Sequence, residues 1–549
     1  MAATFVRVKS AGSHRYLQVV ENHRERGRTV QHVIGTLGRL DQLTAAGEVD
    51  GLIRSLARFA DQVRVVAAQA EGRLQAGPAV AVGPNLVFGR LWEQLGIGAI
   101  LQRMLQRREF EFPVERAVYL TVLHRLFESG SDRQAERWRR DVQVPGAEAL
   151  ELHHLYRAMR WLGENKDDVE EELFARRRDL LTEVTLAFFD TTTLYFHGQG
   201  GQFLGWRGHS KEGRNDLRQM VVGAVLTGDG RPVSCEFWPG NHSDQRALLP
   251  VVDRARQRFG LHQVCWVADR GMISEKTIAA LEERKLRYIL GARMRRQKEV
   301  KEKVLSRAGR YREVAPNLHV KEVWVGEHRY VVCFNPDEAA KEAADRQAIL
   351  AAVEDKLREG AGSLVGNRGF RRFLRVDADA VRIDPKKVEA DARYDGKFVL
   401  RTNTDLPADE VALQYKRLLL VESFFRAVKS MLESRPIYHK WDATIAGHVF
   451  CSFLALVLFD ELQRRLADRG FQVEWADVRR DLAALEEMEV RDGHRCYRLR
   501  TPLQGVAGKV LQAVGVAIPR RVQTDSPVVP STLAVPSNPR NDAISIPGL

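Results

Sequence analysis

Cysteine is scarce in this 549-residue chain: Cys235, Cys265, Cys333, Cys451 and Cys496 are the only five. None stands in a C-x-x-C pair or at metal-ligand spacing from a histidine. This excludes a compact zinc finger and argues against a disulfide framework, so small core residues are expected. Long hydrophobic runs are missing as well. The N-terminal MAATFVRVKSAGSHRY lacks the apolar core of a signal peptide. The most apolar stretch, VFCSFLALVLF (Val449–Phe459), is too short to span a bilayer and gives way at once to DELQRRL. A reducing cytoplasm, with no membrane partner, is the expected setting. Nor is there an acidic excess. The formal net charge is +13 and the isoelectric point about 9.6, which favours a polyanionic partner such as nucleic acid. An arginine-rich genome accounts for the same bias, so charge alone does not decide.

With 44% hydrophobic and 29% charged residues, the composition is that of an ordinary globular protein, long enough for several domains. Residues 1–75 form a mixed α/β segment: TFVRVKS alternates, YLQVVENHRERGRTVQHVIGTLG predicts a hairpin turning through NHRERGR, and a helix follows near Ala46–Ala70. Residues 84–180 are helical, with Pro113 and Glu115 suited to a first turn. Their arginines (ERWRRDV) suit a DNA-binding domain, but no helix-turn-helix spacing separates that from a scaffolding bundle. From residue 183 the texture becomes strand-like, with a tight turn at Gly228-Asp229-Gly230 and a capped helix beginning at Ser274-Glu275. Strands and helices in this order predict an α/β domain in two parts, 183–293 and 398–436, interrupted by an α+β insertion at 294–397. A C-terminal helical region (437–515) and a tail rich in proline and serine (516–549), expected to be disordered, complete the chain.

Three carboxylates carry the chemistry. Asp190 in VTLAFFDTTTLYF and Asp269 in CWVADRGMIS each end an apolar, β-branched and aromatic run that reads as a buried strand; Glu422 lies in a long helical pattern. If the two strands are adjacent and parallel, both aspartates emerge side by side, and their repulsion calls for a metal. Mg²⁺ prefers such oxygens, and two ions about 3.5–4 Å apart activate a nucleophile and stabilise a leaving oxygen in phosphoryl transfer. On the helix, Tyr415, Glu422, Arg426 and Lys429 fall on one stripe beside an apolar stripe of Leu418, Val421, Phe425, Val428 and Leu432. Each feature has a bland counterpart: strand-end aspartates serve turns, and Glu422 with Arg426 is an ordinary i,i+4 pair. The joint arrangement is what points to metal-dependent chemistry.

FDTTT around Asp190, GHSKEGRNDLRQ (Gly208–Gln219), GNHSD (Gly240–Asp244), ADRGMIS around Asp269 and RPIYH (Arg435–His439) together resemble the DDE transposases of bacterial insertion sequences. The closest resemblance is to the insertion sequence 4 branch with a Tyr-Arg-Glu-Lys helix signature. Its positions here are Tyr415, Leu418, Glu422 and Lys429, with leucine replacing the arginine. Arg417 or Arg426 stands near enough in sequence to compensate. The resemblance implies a ribonuclease H-like mixed sheet flanked by helices. It implies metal ligation by Asp190, Asp269 and Glu422, with two Mg²⁺ ions for which Mn²⁺ can substitute. It further implies DNA contacts from Tyr415 and Lys429, double-stranded DNA with inverted repeats as partner, a homodimer on that DNA, and a bacterial nucleoid setting. Arg426, Lys211, Arg214 and Arg218 are added as phosphate contacts by type, and His242 and Asp244 as assisting groups. Trp324 in the insertion is a base-stacking candidate by type only, and a core tryptophan is the favoured account; His439 and His448 read as structural. Two rivals are weighed. One is a relative that binds DNA ends without cutting. The other, an aspartyl-nucleophile phosphatase, wants an aspartate where Thr192 stands and is rejected.

Overall fold

In the computed structural model, the described residues are 4–524 apart from 26–27, 58–64, 66–68, 71, 107, 178–184, 360–367, 377–380, 433–434 and 493–494. From residue 525 on, the tail expected to be disordered lies outside the described residues, as does part of the expected Ala46–Ala70 helix. The chain divides into two compact units.

The smaller unit combines Met1–Ala81, Ala484–Gln504 and Ala517–Leu549. Strands Thr4–Ala11, His14–Glu25 and Arg28–Arg39 form an antiparallel sheet, with the second and third paired as far as Glu25 opposite Arg28 in the charged NHRERGR segment. A four-stranded sheet joins Val522–Thr524, Arg495–Arg500, Glu486–Asp492 and Gln75–Ala81 in that order. The paired strands Glu486–Asp492 and Arg495–Arg500 add β structure to the expected C-terminal helical region, 437–515. In Glu487-Met488-Glu489-Val490-Arg491 apolar and charged residues alternate with period two, which is a strand pattern.

The larger unit, Val82–Ala483 with Gly505–Val516, is built on a nine-stranded sheet. Its strands are β1 (Leu186–Tyr195), β2 (Gln219–Thr227), β3 (Pro232–Pro239), β4 (Cys265–Ala268), β5 (Arg287–Gly291), β6 (Arg312–Ala315), β7 (Leu318–Val325), β8 (His328–Phe334) and β9 (Lys397–Thr402). The spatial order is β6-β7-β8-β9-β5-β4-β1-β2-β3. β1, β4 and β5 are parallel, whereas β2 and β3 run antiparallel as a meander. The β3-β2-β1-β4-β5 half is the ribonuclease H-like sheet. β2 (QMVVGAVLT) is buried at every position, as a central strand covered on both faces must be.

One face packs Ala187, Phe189, Trp266 and Leu290 against helices Asp244–Phe259 and Glu275–Glu283; the other packs Phe188, Leu194, Val267 and Ile289 against helices Ala408–Lys416 and Leu419–Arg426. Ser274 caps its helix by accepting from the Thr277 N–H at 3.1 Å. Strands β6–β8 from the 294–397 segment extend the catalytic sheet through β9 instead of forming a sheet of their own. The Pro336–Glu359 helix, Phe370 and the paired strands Leu374–Val376 and Val381–Ile383 build a separate small core around Val353 and Leu374.

Helix Asp442–Asp468 contains the apolar VFCSFLALVLF. At 27 residues and a mean hydropathy of 1.8 in its most apolar window it is long enough to cross a membrane, so the length argument made from the sequence fails. Burial supplies the better one, because 78% of that window is buried inside the protein. It crosses helix Leu152–Glu164 at two glycines. A Cβ on Gly447 would lie 1.8 Å from the Met159 carbonyl oxygen, and one on Gly163 would lie 1.9 Å from that of Ala443. Since the obstacle is backbone, the helices must separate to admit a methyl group. Gly447→Ala is therefore expected to destabilise the larger unit by about 2–3 kcal/mol or to abolish folding, as read by thermal or urea unfolding. An unchanged midpoint would refute the close crossing.

Candidate active site

β1 and β4 are in register with Phe189 opposite Ala268, so the next residues, Asp190 and Asp269, stand side by side. Asp190 is not at a strand end, as the sequence pattern suggested, but midway along β1. The β-branched and apolar run continues past it, and β2 pairs along the whole strand to Tyr195. β4 is short, and Asp269 leaves the sheet where it stops. Both aspartates line a cleft of about 870 Å³ together with Glu422 and Tyr415.

The expected long helix bearing Glu422 is broken. Helix Ala408–Lys416 ends, Leu418 N–H bonds back to the Tyr415 carbonyl in a tight step at 3.0 Å, and a second helix runs Leu419–Arg426 into a wider turn at Ala427–Met431. Leu418, at the family's arginine position, is 6% exposed and belongs to the core with Phe188 and Val421. Glu422 remains exposed. Among the described residues it has no ion pair, so its carboxylate faces the cleft uncommitted. The Tyr415 hydroxyl donates to Asp269 Oδ1 at 3.0 Å and orients that carboxylate.

Asp190 shares its surroundings with a fourth acid. Asp244, from GNHSD, accepts from Thr191 Oγ1 at 2.7 Å, and the Lys211 ammonium lies 3.6 Å from Asp190 and 3.4 Å from Asp244. Burial pushes the Asp190 carboxyl up to about 6 and Asp269 and Asp244 push the same way, while Lys211 and the Thr191 N–H hold it down. Lys211 is thus a cation set among the acids; its ammonium also donates to the Thr191 carbonyl at 2.6 Å.

The remaining sequence candidates divide. Lys429 binds Glu212 Oε1 at 2.5 Å, and Arg435 binds the other oxygen of Glu212. Arg426 is exposed outside the cleft lining. Arg214 pairs with Asp216 at 3.0 Å and covers the Tyr195 ring, also outside the lining, and Arg218 is spent on the Gln199 and Gly205 carbonyls. His242 stacks on Trp238. Trp324 is neither core nor cleft: it is 53% exposed, with its indole N–H on Glu322.

The cleft also contains groups the motif reading passed over: His209, Arg270, Arg293, Arg295 and Arg296. Arg293 donates to the carbonyls of Arg270 (2.9 Å) and Gly271 (2.6 Å), securing the loop after Asp269. Arg270 and Arg296 form no ion pair among the described residues and are available to phosphate. The legible signal was RMRRQK, a basic cluster immediately after strand YILGA.

A second cluster of metal-ligand type joins Asp132, His439 and His448. Its cation is already present. Buried Arg125 bonds His448 Nδ1 at 2.7 Å and faces Asp132 at 3.7 Å, with His439 3.5 Å from the same carboxylate. We assign this cluster to the structure of the bundle, as the sequence reading held for both histidines.

A sheet that delivers paired aspartates to an arginine-lined cleft has the donor set used by divalent-metal enzymes that act on phosphate esters. Residues 185–458 match the family model described as transposase DDE domain, and residues 5–71 match that of the IS1634 family transposase, N-terminal domain. The chain belongs to the DDE transposases of insertion sequences, DNA-cleaving enzymes whose family depends on divalent metal. No curated protein matches the chain. Among solved structures it is similar to a piggyBac transposase synaptic complex with hairpin DNA, at 10% identity and a TM-score of 0.34 over 73% of this chain and 78% of that one.

The raised Asp190 carboxyl has a stability consequence. Its folded pKa (about 6) exceeds the ordinary 3.8, so ionisation opposes folding fully above pH 6 and not at all below 3.8. Without divalent ions, Asp190→Asn is expected to raise the melting temperature at pH 7.5 by a few degrees, corresponding to about 2–3 kcal/mol, with no gain at pH 3.5. Adding Mg²⁺ should stabilise the wild type and not the variant. A lower melting temperature for the variant at pH 7.5 would contradict the assignment.

Proposed function

We propose that Asp190, Asp269 and Glu422 hold two Mg²⁺ ions, with Mn²⁺ as substitute, and that the chain cuts DNA at the inverted repeats ending an insertion sequence and joins the ends to target DNA. The observation that carries this is the convergence of three carboxylates from β1, the end of β4 and the broken helix on one arginine-lined cleft. The donor set fits: these are hard oxygen ligands, and the lysine among them already marks the position as one that needs positive charge. When bound, such ions activate water and then a 3′-hydroxyl for attack on phosphorus.

The chain's own residues do the rest. Tyr415 fixes the rotamer of Asp269. Lys211 keeps Asp190 and Asp244 compatible before metal arrives and can move to a phosphate oxygen afterwards. Arg270 and Arg296 grip the DNA backbone; Lys429, held at Glu212 outside the cleft lining, is the further DNA contact that the resemblance implies. Joining two ends requires two such sites, which a homodimer on DNA would supply, in the bacterial cytoplasm. The reading of an end-binding protein that does not cut rested on Leu418; its side chain is spent in the core and leaves the three carboxylates in place.

The test is strand-break mapping on DNA carrying the gene with its natural flanks. Wild type with Mg²⁺ is expected to cut at the flanking repeats. Glu422→Gln should bind the same ends with cleavage reduced by about a hundred- to a thousandfold, the size typical of losing one essential electrostatic group. Equal cutting by the variant would remove Glu422 from the site.

A further inference from the structure

Outside the catalytic cleft, the larger unit has a second cavity of about 790 Å³, within the size range of small-ligand pockets. Three large aromatic side chains stand open at it: Trp441 (72% exposed), Tyr438 (61%) and Tyr156 (40%). Aromatic residues of this size are seldom left so exposed without a use. Two of them are held in place by neighbours. The Tyr438 ring lies 5.3 Å from that of His197, and Tyr156 meets His439 edge-on at 5.7 Å. Arg133, Arg435 and Lys440 line the same cavity, and among the described residues Arg133 and Lys440 have no acidic partner. The one acid there, Asp132, is buried beside Arg125 and leaves the mouth positive.

Exposed aromatic faces interleaved with unpaired cations match unstacked nucleotides. Bases stack on the rings and phosphates meet the cations, at about 1–3 kcal/mol per stacked base. In duplex DNA the base faces are stacked on one another and closed to these rings, so the aromatics favour an unpaired strand. The cavity is also tied to the catalytic strand. Ile437 N–H bonds the Tyr195 carbonyl at 3.1 Å, five residues beyond Asp190 on β1 and roughly 17 Å along it. Arg435 reaches Glu212, whose other oxygen holds Lys429.

We infer that the Tyr156–Tyr438–Trp441 cavity is a binding site for unpaired nucleotides of the DNA strand that passes the catalytic carboxylates. The site captures bases freed when an end is opened and keeps the cut strand from re-pairing. This rests on the DNA-cutting reading above, but its test needs no cutting.

Binding of the full chain is measured by fluorescence anisotropy, without divalent metal, to a 5′-fluorescein-labelled 15-nucleotide oligo-dT and to a blunt 15-base-pair duplex. Trp441→Ala is expected to weaken oligo-dT binding about tenfold while duplex binding stays within about twofold; Trp441→Phe should retain most of the oligo-dT affinity. Trp441 is largely exposed and caps nothing through its side chain, so its removal should leave the melting temperature unchanged. Tyr438→Ala supplies an independent second variant. Equal losses on both probes, no loss with either variant, or failure of the wild type to bind oligo-dT would each overturn the inference. Failure of the DNA-cutting reading would show separately, as wild-type protein that binds oligo-dT through Trp441 but makes no metal-dependent breaks.

Discussion

Everything at the candidate active site depends on one electrostatic constraint: negative charge is concentrated where a sheet leaves little room for water. Parallel pairing of β1 and β4 forces Asp190 and Asp269 together, and Asp244, where GNHSD enters its helix, adds a further acid. Such a cluster folds only with compensation, and the structure supplies it as Lys211 between two of the acids and a Tyr415 hydroxyl on the third. A site held by one movable ammonium and one hydroxyl is ready to exchange that cation for divalent ions. Glu422, left without a partner among the described residues on the exposed side of the cleft, completes the proposed ligand set without adding to the buried charge.

The architecture around the site follows from the same need. Both sheet faces are covered, so the strands carrying the acids are rigid and their register cannot slip without moving an aspartate from one face to the other. The break at Arg417–Leu418 lets one segment send Tyr415 to Asp269 and Glu422 to the cleft while Leu418 anchors the turn in the core. An arginine at 418 would have to desolvate its charge in that core or open the turn, which explains physically why leucine is tolerated here.

Much of this was legible in the residues. The apolar, β-branched runs before Asp190 and Asp269 announced buried strands, and the spaced motifs around them announced the catalytic class. Three things were not legible. Periodicity cannot show that the 408–431 pattern contains a break, because both halves keep the same buried face. Strand pairing is non-local, so nothing in HVKEVWV and HRYVVCF says that they extend the catalytic sheet instead of folding apart. Ion-pair partners are equally invisible: Arg214, Arg218 and Lys211 look alike in GHSKEGRNDLRQ, yet only Lys211 turns toward the acids. The arginines of RMRRQK were countable, but their place at the cleft required the fold.

The central claim is that divalent metal binds at Asp190, Asp269 and Glu422 and not at the Asp132–His439–His448 cluster. Iron-mediated backbone cleavage addresses it most directly: Fe²⁺ replaces Mg²⁺, hydroxyl radicals are generated with ascorbate and peroxide, and the fragments are mapped by mass spectrometry. Cuts grouped around residues 190, 269 and 422, suppressed by excess Mg²⁺ and by Asp190→Asn, are the expected result. Cuts confined to the neighbourhood of 132, 439 and 448 would contradict the account.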